Sequence, residues 1–207
     1  MLDVREIQDA TRAMDTPSFL RYLIRERFPG KTLVTCSLRG RSIVLLKMIS
    51  EIDPSTPIVF CHAPAPYPET LDYRAKLVNK LGLRDTRDPF PDESATLQGD
   101  VYHSEDLWWP MSSADHRRDI KYISLNRSLK GFDCWISGVY HGPYDKTPAP
   151  RVAAEGRLVR INPLASWTPG QVQAFIKENG LRYHPRTRLR PKEPGEEESP
   201  SAFSYHF

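Results

Sequence analysis

One short polar turn holds the residue types best suited to binding an anion. It reads Ser37-Leu38-Arg39-Gly40-Arg41-Ser42 and lies between the β-rich run Thr32-Leu33-Val34-Thr35-Cys36 and an apolar run at 43–49 that favours a helix. The serines offer hydroxyls, the glycine allows close approach, and the arginines add positive charge. Turn amides and a helix N-terminus attract phosphate. We therefore predict that residues 37–42, called the anion loop below, bind an anion; a plain strand-to-helix turn with solvated arginines is the alternative.

The elements around this loop predict an α/β fold. A second buried strand is expected at 57–62 and a third at 132–138, with an amphipathic helix at 69–81 that ends at Gly82. A strand, a helix and a strand in this order form a right-handed βαβ unit. We expect a Rossmann-like, open, mainly parallel sheet flanked by helices. Further predictions are a helix over 7–28, an edge strand over 157–161, and a last helix that Thr168 caps.

Ligands of open α/β sheets bind beyond the carboxyl ends of the strands, which directs attention to residues there. His62 follows the second strand, Gly138 ends the third, and His141 lies just beyond it. His62 is interpreted as a base or phosphate donor, or else as a loop histidine bonded to backbone. His141 is interpreted as lining the mouth of the site, or else as part of a solvated loop. We expect no metal site, because no group of His, Cys and carboxylate residues has metal-ligand spacing.

Composition restricts the class of protein. The chain has 207 residues, a net charge of +3 and a sequence pI of about 8.7. This mild basic balance permits an anionic small molecule but does not favour nucleic acid as a partner. No apolar stretch is long enough to predict a membrane span, and the start lacks a secretory signal. The three widely spaced cysteines contain no CxxC pair and fit a reducing cytoplasm, so we predict a cytoplasmic protein.

Beyond these patterns, the sequence resembles the phosphoadenylyl-sulfate (PAPS) reductase family of the PP-loop adenine-nucleotide α-hydrolase superfamily. The resemblance runs from about Lys31 to Pro185, in the order and spacing of the family. Its most distinctive parts are Tyr67-Pro68-Glu69-Thr70 and the stretch from Asn162-Pro163-Leu164 to Trp167. It implies a PP-loop nucleotide fold in which the anion loop is the PP-loop. It also implies positive positions at Lys121 and Arg127, in the helix before the third strand.

The sequence departs from this family at the positions that carry reductive chemistry. Family reductases have a nucleophilic cysteine in a C-terminal Glu-Cys-Gly-Leu-His segment, whereas Cys134 is the last cysteine of these 207 residues. The cysteine pairs of an iron–sulfur cluster are also missing, so no such cluster is expected. The family's Asp-Thr-Gly is replaced by His62-Ala63-Pro64, and its arginine-rich loop by residues 139–144. Arg39 stands where the family usually has a small residue.

Together these features predict a divergent member that binds an adenine nucleotide or related anion and has lost cysteine-based sulfate reduction, with no catalytic residue assigned. Candidate ligands are PAPS, adenosine 3′,5′-bisphosphate and ATP. Two alternatives stay open: a non-catalytic binding or assembly protein, with a homo-oligomer as one form, and an active PAPS reductase with an unusual thiol, for which thioredoxin would be a partner. We predict one domain over residues 1–185 and a charged tail over 186–207. The predicted binding set is Ser37, Leu38, Arg39, Gly40, Arg41, Ser42, His62, Lys121, Gly138 and His141.

Overall fold

The computed structural model describes residues 4–61, 66–88, 125, 127–138 and 150–186. Within these residues the chain forms a six-stranded sheet of order β3-β2-β1-β4-β6-β5. All neighbouring strands are parallel except β5, which runs antiparallel to β6 at one edge. The predicted Rossmann-like, mainly parallel α/β sheet is confirmed. The strands are β1 Thr32–Cys36, β2 Ile58–Phe60, β3 Thr86–Arg87, β4 Cys134–Ile136, β5 Val152–Glu155 and β6 Leu158–Ile161.

Five α-helices with defined bounds accompany the sheet, and the described residues 125 and 127–129 are also helical. The five helices are α1 Val4–Thr11, α2 Thr16–Arg21, α3 Gly40–Ile52, α4 Pro68–Leu81 and α5 Pro169–Glu178, and α2 continues into a π-helical segment, Tyr22–Arg27. The helix predicted over 7–28 is therefore wrong as one unit. Asp15 starts a new helix there because its carboxylate accepts a hydrogen bond from the Ser18 amide, at 2.8 Å.

The larger hydrophobic core lies between one face of the sheet and these helices. Alternate strand residues such as Val34, Phe60 and Ile136 pack there against α2, α3, α4 and α5. The opposite face holds a smaller cluster, in which Leu33, Trp135 and Leu158 pack with apolar residues from 125–132. Both faces of the parallel strands are covered, which explains why β1 reads as an apolar run without polar alternation.

The strand predicted at 157–161 exists as β6, but it is not an edge strand. It pairs with β4 on one side and β5 on the other, and all four of its residues are buried. The edge is β5, which forms a tight hairpin with β6 across Gly156, whose φ is +57°. The two turn residues, Gly156 and Arg157, form a Gly-X pair, which is a hairpin signal that the sequence contains.

The other predicted elements agree with the structure to within a few residues. The anion loop joins β1 to α3, as predicted, although α3 already begins at Gly40. Gly82 ends α4 with a φ of +64°, and Thr168 caps α5 together with Gln171. Across the described residues, we find no helix with the length and apolar character that spanning a membrane requires.

Candidate functional site

The anion loop lies at the carboxyl end of β1, in the middle of the sheet. Leu38 has a φ of +58° and is the non-glycine residue with a left-handed backbone among the described residues. Its amide donates to the sulfur of Cys36, at 3.3 Å, and its side chain is buried in the larger core. A bulky residue avoids this conformation unless its surroundings impose it, and such strain is concentrated at functional turns.

Ser42 closes the loop from the first turn of α3. Its hydroxyl donates to the Arg39 carbonyl at 2.9 Å and lies 3.1 Å from the Arg39 amide, which donates to it. The Ser37 hydroxyl oxygen is 3.4 Å from the Ser42 hydroxyl oxygen. The predicted serine hydroxyls are thus brought together. Ser42 therefore has a capping role, and the predicted anion binding by this loop stays a prediction.

Gly40 and Gly138 are both positions of close approach, for reasons that the sequence did not reveal. A Cβ on Gly40 would lie 3.2 Å from the Tyr183 ring and 3.4 Å from Val172, so this glycine admits α5 and Tyr183 rather than a ligand. A Cβ on Gly138 would lie 3.2 Å from the Ser42 nitrogen. The end of β4 therefore touches the first turn of α3 directly. Gly138 therefore lies in contact with the anion loop, and its predicted part in binding stays a prediction.

The two loop arginines have different environments. Arg41 donates to two carbonyls of the turn before α5, those of Trp167, at 3.0 Å, and of Leu164. Arg39 is solvent-exposed, although neighbouring atoms desolvate it enough to lower its pKa. An arginine remains charged at neutral pH despite such a shift. Both positive charges therefore belong to the loop, but two donors of Arg41 are already bonded to backbone carbonyls of the protein.

The second face of the sheet becomes polar towards the carboxyl ends of the strands. Thr35 of β1 accepts a hydrogen bond from the Trp135 indole at 2.9 Å. Ser137 follows β4 and is buried, and its amide donates to Ile161 of β6. Asn162 follows β6, is 1% exposed, and has a side-chain oxygen with no hydrogen-bond partner among the described residues. The sequence prediction missed this row, whose signal was the change from apolar to polar residues at each strand end.

The thiols of β1 and β4 are poorly suited to nucleophilic chemistry. Cys36 and Cys134 are buried, and burial raises the pKa of each thiol to about 12. Cys61, just beyond β2, is only partly buried. Because the thiolate is the nucleophile, the two buried thiols are almost entirely unreactive at neutral pH.

The Tyr67-to-Thr70 motif contacts the segment at residues 180–186. His184 is buried, its Nδ1 accepts from the Arg186 amide at 3.1 Å, and its Nε2 lies 3.0 Å from the Thr70 hydroxyl. Desolvation, followed by the Arg186 charge, lowers the pKa of His184. Arg186 forms an ion pair with Glu69 and stacks 3.5 Å above the Tyr67 ring. The Tyr67-to-Thr70 motif and residues 184–186, which are far apart in sequence, thus form one contact.

Three of the predicted site residues, His62, Lys121 and His141, lie outside the described residues, so their roles stay predictions. The same holds for the tail from 187 onward. Within the described ranges, no group of three or more His, Cys, Asp or Glu side chains is arranged to hold a metal ion.

Comparisons with known proteins identify what this arrangement resembles. An adenosine 5′-phosphosulfate reductase of Mesorhizobium japonicum is 29% identical over 195 residues, which cover 88% of this chain and 75% of that protein. One from a Chelativorans species is 30% identical, over 78% of this chain and 65% of its own length. The crystal structure of the PAPS reductase of Candida auris, a phosphate complex, has the same fold, with a TM-score of 0.67 and 22% identity over 89% of this chain and 90% of that one. The model of the phosphoadenosine phosphosulfate reductase domain matches residues 31–187, and the chain belongs to this family.

Proposed function

We propose that this protein binds an adenine nucleotide carrying sulfate or phosphate, with the anionic group at residues 37–42. The observation that carries the proposal is the strained left-handed turn at Leu38, which leads from the end of β1 into the N-terminus of a 13-residue helix. The first amides of a helix and its positive end at such a turn favour an anion. Relatives named as adenosine 5′-phosphosulfate and PAPS reductases suggest the ligand class.

Charge in the loop supports the same ligand class. The first turn of α3 contains no acidic residue, and Arg39 and Arg41 flank its first position. Arg39 is the exposed member of the pair, and its guanidinium is the group we assign to the sulfate or phosphate oxygens. A charge-assisted hydrogen bond of this kind contributes about 1.5–3 kcal/mol. His62, Lys121 and His141 are proposed to complete the site.

We further propose that the cysteines of these 207 residues do not support thiol-based reduction of the bound sulfate. The reaction needs a thiolate that attacks sulfur, and Cys36 and Cys134 are held protonated by burial. Cys61 is the remaining thiol, on the loop that follows β2. An active reductase would therefore have to use Cys61 or take its thiol from a partner such as thioredoxin.

Calorimetry against PAPS, adenosine 5′-phosphosulfate, adenosine 3′,5′-bisphosphate and ATP tests the binding proposal. We expect at least one of these nucleotides to bind the parent, and Arg39→Ala to weaken its binding by about 10- to 100-fold. Arg12→Ala is the matched control, because Arg12 is an exposed arginine on α1 whose partner is Asp9. Absence of binding by all four nucleotides would refute the proposal and favour an assembly protein that reuses the fold.

Sulfite release from PAPS in the presence of thioredoxin tests the second part. We expect no release above the background of thioredoxin alone. If sulfite is released, a variant with Cys36, Cys61 and Cys134 all replaced by serine decides the source of the thiol. Loss of release in that variant would establish a cysteine mechanism in this chain and contradict our proposal.

A further inference from the structure

We infer that Arg41 positions the anion loop and does not bind the anion directly, so that Arg39 is the loop arginine whose guanidinium contacts the ligand. The part of this inference that concerns ligand binding rests on the proposed function above. The contacts of Arg41 within the protein are independent of it.

The first observation is where the Arg41 side chain goes. Its two terminal nitrogens donate to the carbonyls of Leu164 and Trp167. These carbonyls belong to one turn, residues 162–167, closed by hydrogen bonds from the Ala165 amide to Asn162 and from the Trp167 amide to Leu164. The planar fork of a guanidinium can bridge two such acceptors, which an ammonium group cannot do with the same geometry.

The second observation is that this turn is itself fixed. The indole of Trp167 donates to the Thr16 hydroxyl at 3.1 Å, and that hydroxyl donates to the Pro163 carbonyl at 3.4 Å. Leu164 is 1% exposed within the larger core. A continuous chain of hydrogen bonds therefore runs from the start of α2, through the 162–167 turn, to Arg41 in the first turn of α3.

The third observation concerns what else holds that first turn. Gly40 lies against Tyr183 and α5, and Gly138 lies against the Ser42 nitrogen. The turn is thus packed on two sides by backbone or ring atoms, and Arg41 links it to the 162–167 turn. The direction of the first turn of α3 decides where the loop amides point. A displacement of about 1 Å in a positioned group can lower the efficiency of a site by as much as 100-fold.

Lysine substitutions distinguish the roles of the two arginines, because lysine keeps the positive charge but loses the planar guanidinium that bridges two acceptors. We expect Arg39→Lys to bind the nucleotide within about threefold of the parent. We expect Arg41→Lys to bind about 10-fold more weakly, nearly as weakly as Arg41→Ala, with an unchanged dependence of affinity on salt. The inference is overturned if Arg41→Lys retains the parent affinity while Arg41→Ala loses it, since charge alone would then suffice.

A control separates positioning from a general loss of stability. Ile7→Ala removes a fully buried side chain from α1, which packs on β5 at the edge of the sheet, so it destabilises the fold without touching the loop. Affinities are compared at a temperature at which circular dichroism shows every variant folded. We expect Ile7→Ala to bind like the parent. A loss of affinity in Ile7→Ala as large as that in Arg41→Lys would mean that Arg41 acts only through stability.

A double-mutant cycle in the ligand-free protein tests the link between Arg41 and the 162–167 turn, even if no nucleotide binds. Thr16→Val removes the hydroxyl that fixes the 162–167 turn but keeps the shape of the side chain at position 16. We expect Thr16→Val and Arg41→Lys each to lower the melting temperature by about 2–4 °C, and the double variant to lose clearly less than the sum. Additivity to within about 1 °C would refute the coupling. A third outcome is that the parent protein binds no nucleotide while the two substitutions still show coupling. That result would refute the proposed function but establish the link between Arg41 and the 162–167 turn.

Discussion

Gly138 offers the sharpest test of how the sheet supports the anion loop. Gly138 has no left-handed φ, so an alanine there is not strained by its backbone torsions. Its added Cβ would lie 3.2 Å from the Ser42 nitrogen and 3.4 Å from both the Arg41 carbonyl carbon and the Ser42 Cα. These are main-chain atoms at the start of a helix, which cannot swing aside like the end of a side chain. Either the end of β4 or the first turn of α3 must move by a few tenths of an ångström.

The expected cost follows from this geometry. Forcing one extra carbon into a closely packed contact costs about 1–3 kcal/mol, and the lower entropy of the unfolded chain returns about 0.4–1 kcal/mol. We expect a net destabilisation of about 1 kcal/mol, which corresponds to a fall of about 2–4 °C in melting temperature. Nucleotide affinity should fall as well, because the displaced turn carries the amides assigned to the anion.

Gly170→Ala is the matched control for this prediction. Gly170 is near the start of α5, and a Cβ there would meet only the Thr168 hydroxyl, at 3.9 Å. The same chemical change should therefore be neutral or stabilising by up to about 1 kcal/mol, with unchanged affinity. Thermal melts and calorimetry on both variants give the comparison. If Gly138→Ala were as stable as Gly170→Ala and bound the nucleotide equally well, the close contact would have no mechanical role in the loop.

Three further predictions concern the residues around the loop. Leu38→Ala should be less stable to urea than Leu38→Gly by about 1 kcal/mol, reversing the usual order, because only glycine relieves the positive φ. The lowered pKa of His184 means that the unfolded chain binds its proton first, so stability should fall as pH drops below about 6.5, and His184→Gln should flatten that slope. In the native protein at pH 8, Cys61 should react with a thiol reagent while Cys36 and Cys134 stay protected until unfolding.

Local patterns were enough to predict most of the fold. The apolar runs of β1, β2 and β4 are buried on both faces, and helix ends at Gly82 and Thr168 follow capping chemistry that acts over a few residues. Elements that exist only through pairing with a neighbouring strand were missed. The two-residue β3 has no pattern of its own and exists through pairing with β2. The alanines of β5 give little strand propensity, so that strand depends on its hairpin with β6.

For the candidate site, sequence could place residues along the chain but not assign their partners. Residues 37–42 do lie together at the end of β1, as a short bend and the first turn of α3, because strand order and the helix dictate that position. Arg39 and Arg41 look equivalent there, two residues apart and with the same charge. What distinguishes Arg41 is a turn more than 120 residues further along the chain, whose carbonyls accept two of its donors. A guanidinium satisfies whichever acceptors lie nearest, so the division between a ligand-binding and a positioning arginine is a property of the tertiary structure.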